Sequence, residues 1–312
     1  MITRRQFLKG LAAFTAAGTG FGGYALAEPF RLNVTRYHVM PRNWPRGMRL
    51  RIAVIADLHV CEPWMGLARV EAIVARTNAL APDIVLLPGD FVPSHRMTKF
   101  SMDVPHDEWA GVLAHLEAPL GRHAVLGNHD WWEDVAVQRR RKGPTPAGEA
   151  LRRAGIPVYE NDAVRLEVDG KAFWLAGLGD QWAFWPNRDR FERFRRRGKV
   201  DYDGVHDLPA TLAKVTDDAP VILMVHEPDI FPDVPDRVAL TICGHTHGGQ
   251  VQLAGYTPIV PSKFGSRYVY GHIVEAGRNL VVSAGLGVSG LPLRFGRPPE
   301  IVVIELGHGT AA

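Results

Sequence analysis

Five short apolar runs in this chain each end directly before residues that can bind a metal ion. They cover residues 49–56, 83–87, 123–126, 221–225 and 238–242, and each is bounded by Gly, Pro, Asp or His. Runs of this length and composition are typical of buried strands. In α/β sheets, functional groups lie outside the carboxyl ends of the strands. The pattern therefore predicts an α/β fold whose functional site is assembled from several strand ends.

The side chains that follow these runs are of the kinds that bind cations through nitrogen or oxygen. Asp57 and His59 follow the first run, and their i, i+2 spacing places both on one side of an extended chain. Asp90 follows the second run after a glycine, and its two carboxylate oxygens are the minimum for bridging two cations. The other three runs lead into Gly-Asn-His-Asp at 127–130, His226 and Gly-His-Thr-His at 244–247.

Each of these motifs alone is compatible with a turn or a buried histidine, so their order along the chain is the informative property. Asp-x-His, Gly-Asp, Gly-Asn-His-Asp, a lone His and Gly-His-x-His occur here in the order typical of the calcineurin-like metallophosphoesterase superfamily, which the chain resembles over residues 48–306. The resemblance implies that one metal is bound by Asp57, His59 and His247, that the other is bound by Asn128, His226 and His245, and that Asp90 bridges them. It leaves His129 free for catalysis.

The same resemblance implies a four-layer α/β/β/α sandwich of two mixed β-sheets flanked by helices. It also implies two divalent or trivalent metal ions about 3.5–4 Å apart. The nitrogen and oxygen ligands include no thiolate, which suits Mn, Fe or Zn and does not choose among them. A hydroxide held by the metals would attack phosphorus, and His129 would stabilise the transition state or protonate the leaving oxygen. Asp130 would either orient His129 or cap the turn.

The N-terminus resembles a twin-arginine export signal. Arg4 and Arg5 precede an uncharged stretch at 10–26, which ends in the small-x-small pattern Ala-Leu-Ala at 25–27. We therefore expect contact with the twin-arginine export machinery and a periplasmic or membrane-associated location. The segment is either cleaved or kept as an uncleaved anchor, although it is short and glycine-rich for a membrane span.

Beyond this signal at 1–27, we expect a linker and first strand at 28–47 and one metallophosphoesterase domain at 48–312. Apolar residues at helical spacing predict helices over residues 67–80 and 106–116. Further strands are predicted at 164–168, 172–175, 250–253, 280–283 and 301–306.

The charge balance gives no support for a nucleic-acid-binding protein. The chain has 36 basic and 33 acidic residues, and removal of the signal would leave 33 of each, because it carries Arg4, Arg5 and Lys9 and no acid. No specific nucleic-acid partner is therefore indicated. Arginine-rich stretches at 139–142 and 188–199 are interpreted as surface insertions, either solvated or in contact with anionic lipid.

The two cysteines, Cys61 and Cys243, could pair in an oxidising compartment. Twin-arginine substrates generally fold before export, in a reducing cytosol, which favours the alternative that both are small buried side chains.

The export signal and the segment from Gly285 to Ile301 resemble the exported bacterial YkuE/YaeI-type branch of the superfamily. This implies hydrolysis of a phosphodiester in a membrane-associated or lipid-linked substrate, such as a UDP-diacylglucosamine-type pyrophosphate. Arg294 is a candidate phosphate clamp, because a guanidinium can pair with two oxygens, or else a structural arginine.

Three other functions were weighed against a phosphodiesterase. A phosphomonoesterase or nucleotidase would use the same metal centre, so the sequence leaves it open. A non-catalytic scaffold that retained the fold is disfavoured by the complete set of candidate ligands. A metallo-β-lactamase-like hydrolase would need a compact His-x-His-x-Asp-His cluster, which the sequence does not contain.

Overall fold

A computed structural model describes residues 20–94, 97, 101–186 and 202–307. The arginine-rich stretch at 188–199 and most of the export signal lie outside the described residues. Within the described ranges, no helix has both the length and the apolar character needed to cross a membrane.

Thirteen strands are described. In chain order they are β1 (Asn33–Val39), β2 (Leu50–Val54), β3 (Cys61–Glu62), β4 (Ile84–Leu87), β5 (Met102–Asp103), β6 (Arg122–Ala124), β7 (Asp162–Val168), β8 (Lys171–Gly177), β9 (Val221–Met224), β10 (Val238–Cys243), β11 (Gly271–Glu275), β12 (Arg278–Val282) and β13 (Glu300–Leu306). The helices are α1 (20–27), α2 (Leu67–Asn78), α3 (His106–Leu113), α4 (Asn128–Trp132), α5 (Val135–Arg140), α6 (Pro146–Arg153) and α7 (Leu208–Ala213).

Two mixed sheets form the centre of the molecule. The first has the strand order β1-β13-β2-β4-β6, in which β2, β4 and β6 are parallel and β13 runs antiparallel to β2. The second has the order β11-β12-β10-β9-β8-β7, with four parallel strands between two antiparallel edge strands. Strands β3 and β5, which are separated in sequence by α2 and β4, form a small two-stranded antiparallel sheet.

The sheets stack because their central strands carry apolar side chains on both faces, one facing the other sheet and one facing the helices. In β2, Ile52 and Val54 belong to the core between the sheets, whereas Ala53 and the following Ile55 pack outward against helices α2, α3 and α6. On the outer face of the second sheet, Leu223 packs in one cluster with residues of α7 and of the loops near it. The predicted four-layer α/β/β/α sandwich is confirmed.

The predicted helices at 67–80 and 106–116 are confirmed as α2 and α3, which end a few residues earlier. The strand predicted at 250–253 is wrong. Val251 and Leu253 make only isolated bridges, because the backbone turns with positive φ at Gln250 and Ala254 and cannot continue a ladder. Cys61 and Cys243 are buried and unpaired, as the alternative without a disulfide predicts.

Candidate metal centre

The loops that follow five strands, β2, β4, β6, β9 and β10, meet at one edge of the sandwich. They bring together the seven predicted ligands, Asp57, His59, Asp90, Asn128, His226, His245 and His247, all of which are buried. The two sheets are joined here, since the backbone amide of His245 donates to Asp57 Oδ1 at 2.8 Å. Parallel strands deliver their carboxyl ends to the same edge, which is why residues far apart in sequence meet.

The backbone is strained where these side chains leave the strands. Asp57, His59, Asp90, His245 and His247 adopt φ values between 46° and 70°, in the left-handed region that non-glycine residues seldom occupy. Such residues cost about 1–3 kcal/mol each and cluster at functional sites. The strain therefore supports a functional use of these five positions.

One cluster contains Asp57, His59 and His247. The Nε2 atoms of His59 and His247 are 3.0 Å apart, and His247 Nε2 is 3.7 Å from Asp57 Oδ1. The other ring nitrogen of His59, Nδ1, is 2.8 Å from the Val92 carbonyl oxygen, which fixes the ring with Nε2 towards the cluster. A second hydrogen bond of this kind is typical of metal-binding histidines.

The second cluster contains Asp90, His226 and His245, with Asn128 beside them. His226 Nε2 is 3.2 Å from Asp90 Oδ2, and its Nδ1 is 2.7 Å from the Pro88 carbonyl oxygen. His245 Nδ1 is 2.9 Å from Asn128 Oδ1 and 3.2 Å from His226 Nε2. Nitrogen and oxygen lone pairs thus converge on a second point.

Asp90 lies between the two clusters. Its Oδ2 atom is 3.2 Å from Nε2 of His226 in one cluster and 3.6 Å from Nε2 of His59 in the other. Among the described residues, the buried Asp57 Oδ2 has no hydrogen-bond partner. An orphaned carboxylate oxygen and converging imidazole nitrogens are what a cation would satisfy, so the two clusters fit a binuclear metal centre.

Burial and mutual charge shift the titration of these groups. Burial raises the pKa of Asp57 to about 7 and lowers the pKa of His59 to about 4. Burial would also raise the pKa of Asp90, but His226 and other neighbouring histidines hold it well below its usual range. Burial tends to lower the pKa of His226, but the Asp90 carboxylate outweighs this effect and holds the pKa of His226 well above normal. The centre thus retains protons that a bound cation would displace.

His129 lies in the first turn of α4, beside the two clusters. Its backbone amide donates to Asp90 Oδ1 at 2.9 Å, and its ring is edge-on to the His59 ring at 5.2 Å. The ring partner of His129 is Glu133, with 3.1 Å between Nδ1 and Oε1. Burial opposes protonation of this ring, but Asp90 and Glu133 raise its pKa. Sequence reasoning missed Glu133, although the i, i+4 spacing on a helix was a usable signal.

Asp130, the residue after His129, stabilises a turn. Its carboxylate accepts hydrogen bonds from the backbone amides of Gly127, Asp90, Phe91 and Val92, at 2.9 to 3.2 Å. Of the two alternatives, the structure shows turn capping, and the capped turn also fixes the loop after β4.

Arg294 is fully buried behind His247. Its guanidinium donates to the carbonyl oxygens of Gly287, Ala284 and Arg297, at 2.6 to 3.0 Å, and Nη2 is 3.1 Å from His247 Nδ1. A phosphate clamp needs donors that face the substrate. These surroundings instead match the structural-arginine alternative.

A wall of aromatic rings borders the second cluster, and it was not predicted. The Trp182 ring is edge-on to His245 at 4.5 Å and stacks on Tyr202 at 4.7 Å. The Trp132 ring lies 4.3 Å from Trp185 and 5.1 Å from His129. The rings come from three parts of the chain, at Trp132, at Trp182 with Trp185, and at Tyr202. Trp132 Nε1 donates to the Trp182 carbonyl oxygen across a separation of 50 residues. Sequence spacing gave no signal for this contact.

Comparison with known proteins agrees with this geometry. The calcineurin-like phosphoesterase family profile matches residues 50–249, and a twin-arginine signal profile matches residues 1–20, which indicates export by that route. The chain is 31% identical to the uncharacterized metallophosphoesterase YkuE of Bacillus subtilis, over 98% of each chain. It is 30% identical to the phosphodiesterase YaeI of Escherichia coli, over 98% of this chain and 100% of the relative.

A solved structure of a dimetal phosphatase from Danio rerio aligns with a TM-score of 0.42 at 14% identity, covering 76% of this chain and 88% of the other. The family match and the two clusters identify a metal-dependent phosphoesterase. The chain belongs to the calcineurin-like phosphoesterase family.

Proposed function

We propose that this enzyme hydrolyses a phosphodiester bond in a membrane-associated or lipid-linked substrate, such as a UDP-diacylglucosamine-type pyrophosphate. The observation that carries the proposal is the position of Asp90 Oδ2 between two ligand clusters, with His129 beside them. The Escherichia coli relative is named a phosphodiesterase, which supports the choice of a diester.

In this proposal, the seven buried side chains divide into three roles. Asp57, His59 and His247 would hold one metal, and His226, His245 and Asn128 would hold the other, with Asp90 within reach of both. When bound, two such ions neutralise phosphoryl oxygens and supply hydroxide near neutral pH. The ring nitrogens face the clusters because their second nitrogens are held by carbonyl oxygens, as in His59 and His226.

His129 is proposed as the proton donor to the leaving oxygen or as a stabiliser of charge in the transition state. Glu133 accepts from Nδ1, which keeps the ring oriented and favours its protonated form. A positioned general acid with a raised pKa suits an alkoxide leaving group, which is a poor leaving group without a proton.

The aromatic wall supports a diester over a monoester. A diester carries an organic group on each side of phosphorus, and the rings of Trp182 and Trp132 provide a surface for one of them next to His245 and His129. Aromatic side chains with a polar edge are suited to sugar, base or acyl contacts.

The test is a metal-dependence assay with three substrates. The purified protein is supplied with Mn or treated with a chelator, and is offered p-nitrophenyl phosphate, bis-p-nitrophenyl phosphate and a lipid pyrophosphate. We expect hydrolysis of the diester and the lipid pyrophosphate only with metal. A preference for the monoester would favour the phosphomonoesterase or nucleotidase alternative. Metal binding without hydrolysis of any substrate would favour the scaffold.

A further inference from the structure

Large apolar side chains are exposed on one surface around Phe295. We call this surface the Phe295 face, and its exposed members are Phe21, Tyr24, Leu26, Leu253, Tyr256, Ile259 and Leu291, each between 41% and 76% exposed. An exposed apolar patch of this kind marks an interaction site more often than a chance arrangement.

Ring and backbone contacts link Phe21, Tyr24, Leu253, Tyr256 and Leu291 around Phe295. Leu253 and Tyr256 belong to one turn, in which their backbones exchange hydrogen bonds of 2.8 and 2.9 Å. The Phe21 ring stacks on Phe295 at 4.9 Å, and Tyr24 packs edge-on against it at 5.3 Å. The Gln252 amide donates to the Phe295 carbonyl oxygen at 2.7 Å, which places the Leu253 turn alongside. Gln250 Nε2 donates to the Leu291 carbonyl oxygen at 3.0 Å. Three separate segments therefore contribute to the same face.

The charges on the three segments are complementary to an anionic surface. Residues 20–31, 250–268 and 288–298 contain a single acid, Glu28, which is buried and accepts from the Gly296 amide. The same segments expose the basic side chains of Arg31, Lys263 and Arg267, of which Arg267 is already paired with Glu275. Apolar side chains surrounded by basic ones are the combination that binds anionic lipid headgroups.

The chain itself indicates what covers this face. In the chain that keeps its signal, helix α1 supplies Phe21 and Tyr24, and it directly continues the segment that matches a twin-arginine signal, which is delivered to a membrane. We propose that the Phe295 face docks on the surface of an anionic lipid bilayer, with Tyr256 and Ile259 inserted among the headgroups.

Docking in this orientation would bring the bilayer next to the metal centre. The Phe295 face begins three residues after His247, and the Ser289 amide donates to Gln250 Oε1 at 2.8 Å. A lipid-linked phosphoester could then reach the clusters from the membrane surface. This last step rests on the proposed function, whereas the docking itself does not.

A site-specific fluorescence experiment on the full chain tests the orientation. Tyr256→Cys and, as a matched control, Met40→Cys are labelled with an environment-sensitive fluorophore; Cys61 and Cys243 are buried and do not compete. Met40 is 61% exposed and follows β1, at the edge of the sandwich opposite the metal centre. With phosphatidylglycerol–phosphatidylethanolamine vesicles, we expect a blue shift at position 256 and none at position 40.

Two results would overturn the docking. One is a label at position 256 that stays water-exposed although the protein binds vesicles, which would leave the export signal as the sole contact. The other is a blue shift without vesicles that grows with protein concentration, which would indicate a second copy of the chain on this face.

A double substitution measures how much the Phe295 face contributes to vesicle binding. Tyr256→Ser with Ile259→Ser should weaken vesicle partitioning by about tenfold, because two immersed apolar side chains are lost. Met40→Ser should not change it. Hydrolysis of soluble bis-p-nitrophenyl phosphate should be unaffected by either change. A wild-type protein that binds vesicles through this face but hydrolyses no phosphoester would contradict the proposed function and leave the docking intact.

Discussion

At the scale of single residues, His129 is the side chain whose role can be separated from metal binding. It lies beside both clusters, and its ring is held by Glu133 rather than by a metal ligand. His129→Ala should keep both metals, measured by elemental analysis, and should lower diester turnover by at least about a hundredfold, the usual effect of losing a general acid. Glu133→Gln should cause a smaller loss. Undiminished turnover in His129→Ala would rule out the proposed role.

Arg294 allows a similar distinction between two roles. Three carbonyl oxygens accept hydrogen bonds from its buried guanidinium, so Arg294→Met would leave them without donors. Each unsatisfied buried group costs about 1–3 kcal/mol, and we expect the free energy of unfolding in urea to fall by about 3 kcal/mol or more. Arg294→Lys should restore part of it. A raised KM at unchanged stability would instead support the phosphate clamp.

The residues of the centre differ in how far the sequence predicts them. Asp57, Asp90 and His226 were identifiable because each directly follows an apolar run, and the fold gathers strand ends. Trp182 and Tyr202 were not, because they contact Trp132 across separations of 50 residues or more, which no local pattern encodes. Arg294 was recognised as noteworthy by its chemistry, but burial, which the local sequence does not encode, determines which groups it contacts.

At the scale of elements, the turn between β6 and α4 holds the site together. A Cβ on Gly127 would lie 2.5 Å from Asp90 Oδ1 and 2.6 Å from His226 Cε1, closer than real contacts allow. Gly127→Ala should therefore displace both side chains and weaken metal binding by at least about tenfold. Losing a group that only orients a metal ligand already lowers metal affinity by about this factor. Isothermal titration with Mn or Zn measures the change.

The matched control for this turn is Gly111→Ala in α3, where an added Cβ meets no heavy atom within 4 Å. Metal affinity should stay the same there, and stability should rise by about 0.5–1 kcal/mol from the better helix propensity of alanine. Equal metal affinity in Gly127→Ala and the wild type would contradict the close packing at the turn.

The sequence predicted elements well where a buried run or an amphipathic period sets them, as in β9, β10 and α2. It failed at 250–253, where the residue types suit a strand but positive φ at Gln250 and Ala254 ends any ladder after a single bridge. Helices α4, α5 and α7 were missed because each is six residues or shorter, which leaves too few turns for a periodic signal. Helix α6 is as long as α3, but its buried face consists mainly of small side chains, which give little apolar signal.

At the scale of the whole molecule, bound metal would join the two sheets, because the proposed ligands come from loops of both. Asp57 and Asp90 follow strands of the first sheet, and His226 and His245 are contributed by the second. Metal binds the folded state and stabilises it by mass action. We therefore expect chelation to lower the Tm of the entire domain in a single transition, rather than to loosen one loop.

The stabilisation by bound metal should depend on pH, and the direction of this dependence follows from the charge states of the ligands. Burial raises the pKa of the metal-free Asp57 carboxyl to about 7, so below that pH the group holds a proton that metal must displace. Burial also lowers the pKa of His59 to about 4, so that ring is already neutral and adds no competition above this value. Protons thus compete more strongly as the pH falls from about 7 to about 5, and the Asp57 proton alone should lower affinity by up to about tenfold per pH unit.

The measurement is the rise in Tm on adding Mn or Zn, followed across this pH range. We expect the rise to be largest near about pH 7 and to shrink steadily towards about pH 5, because each displaced proton weakens metal binding as acidity increases. Asp57→Asn removes the titrating carboxyl and should flatten the dependence as well as reduce the rise. Glu117→Gln changes an exposed carboxylate outside the centre and should leave both unaltered. A rise in Tm that is constant with pH in the wild type would mean that the metal does not replace protons on these buried side chains, and the proposed ligand set would then have to change.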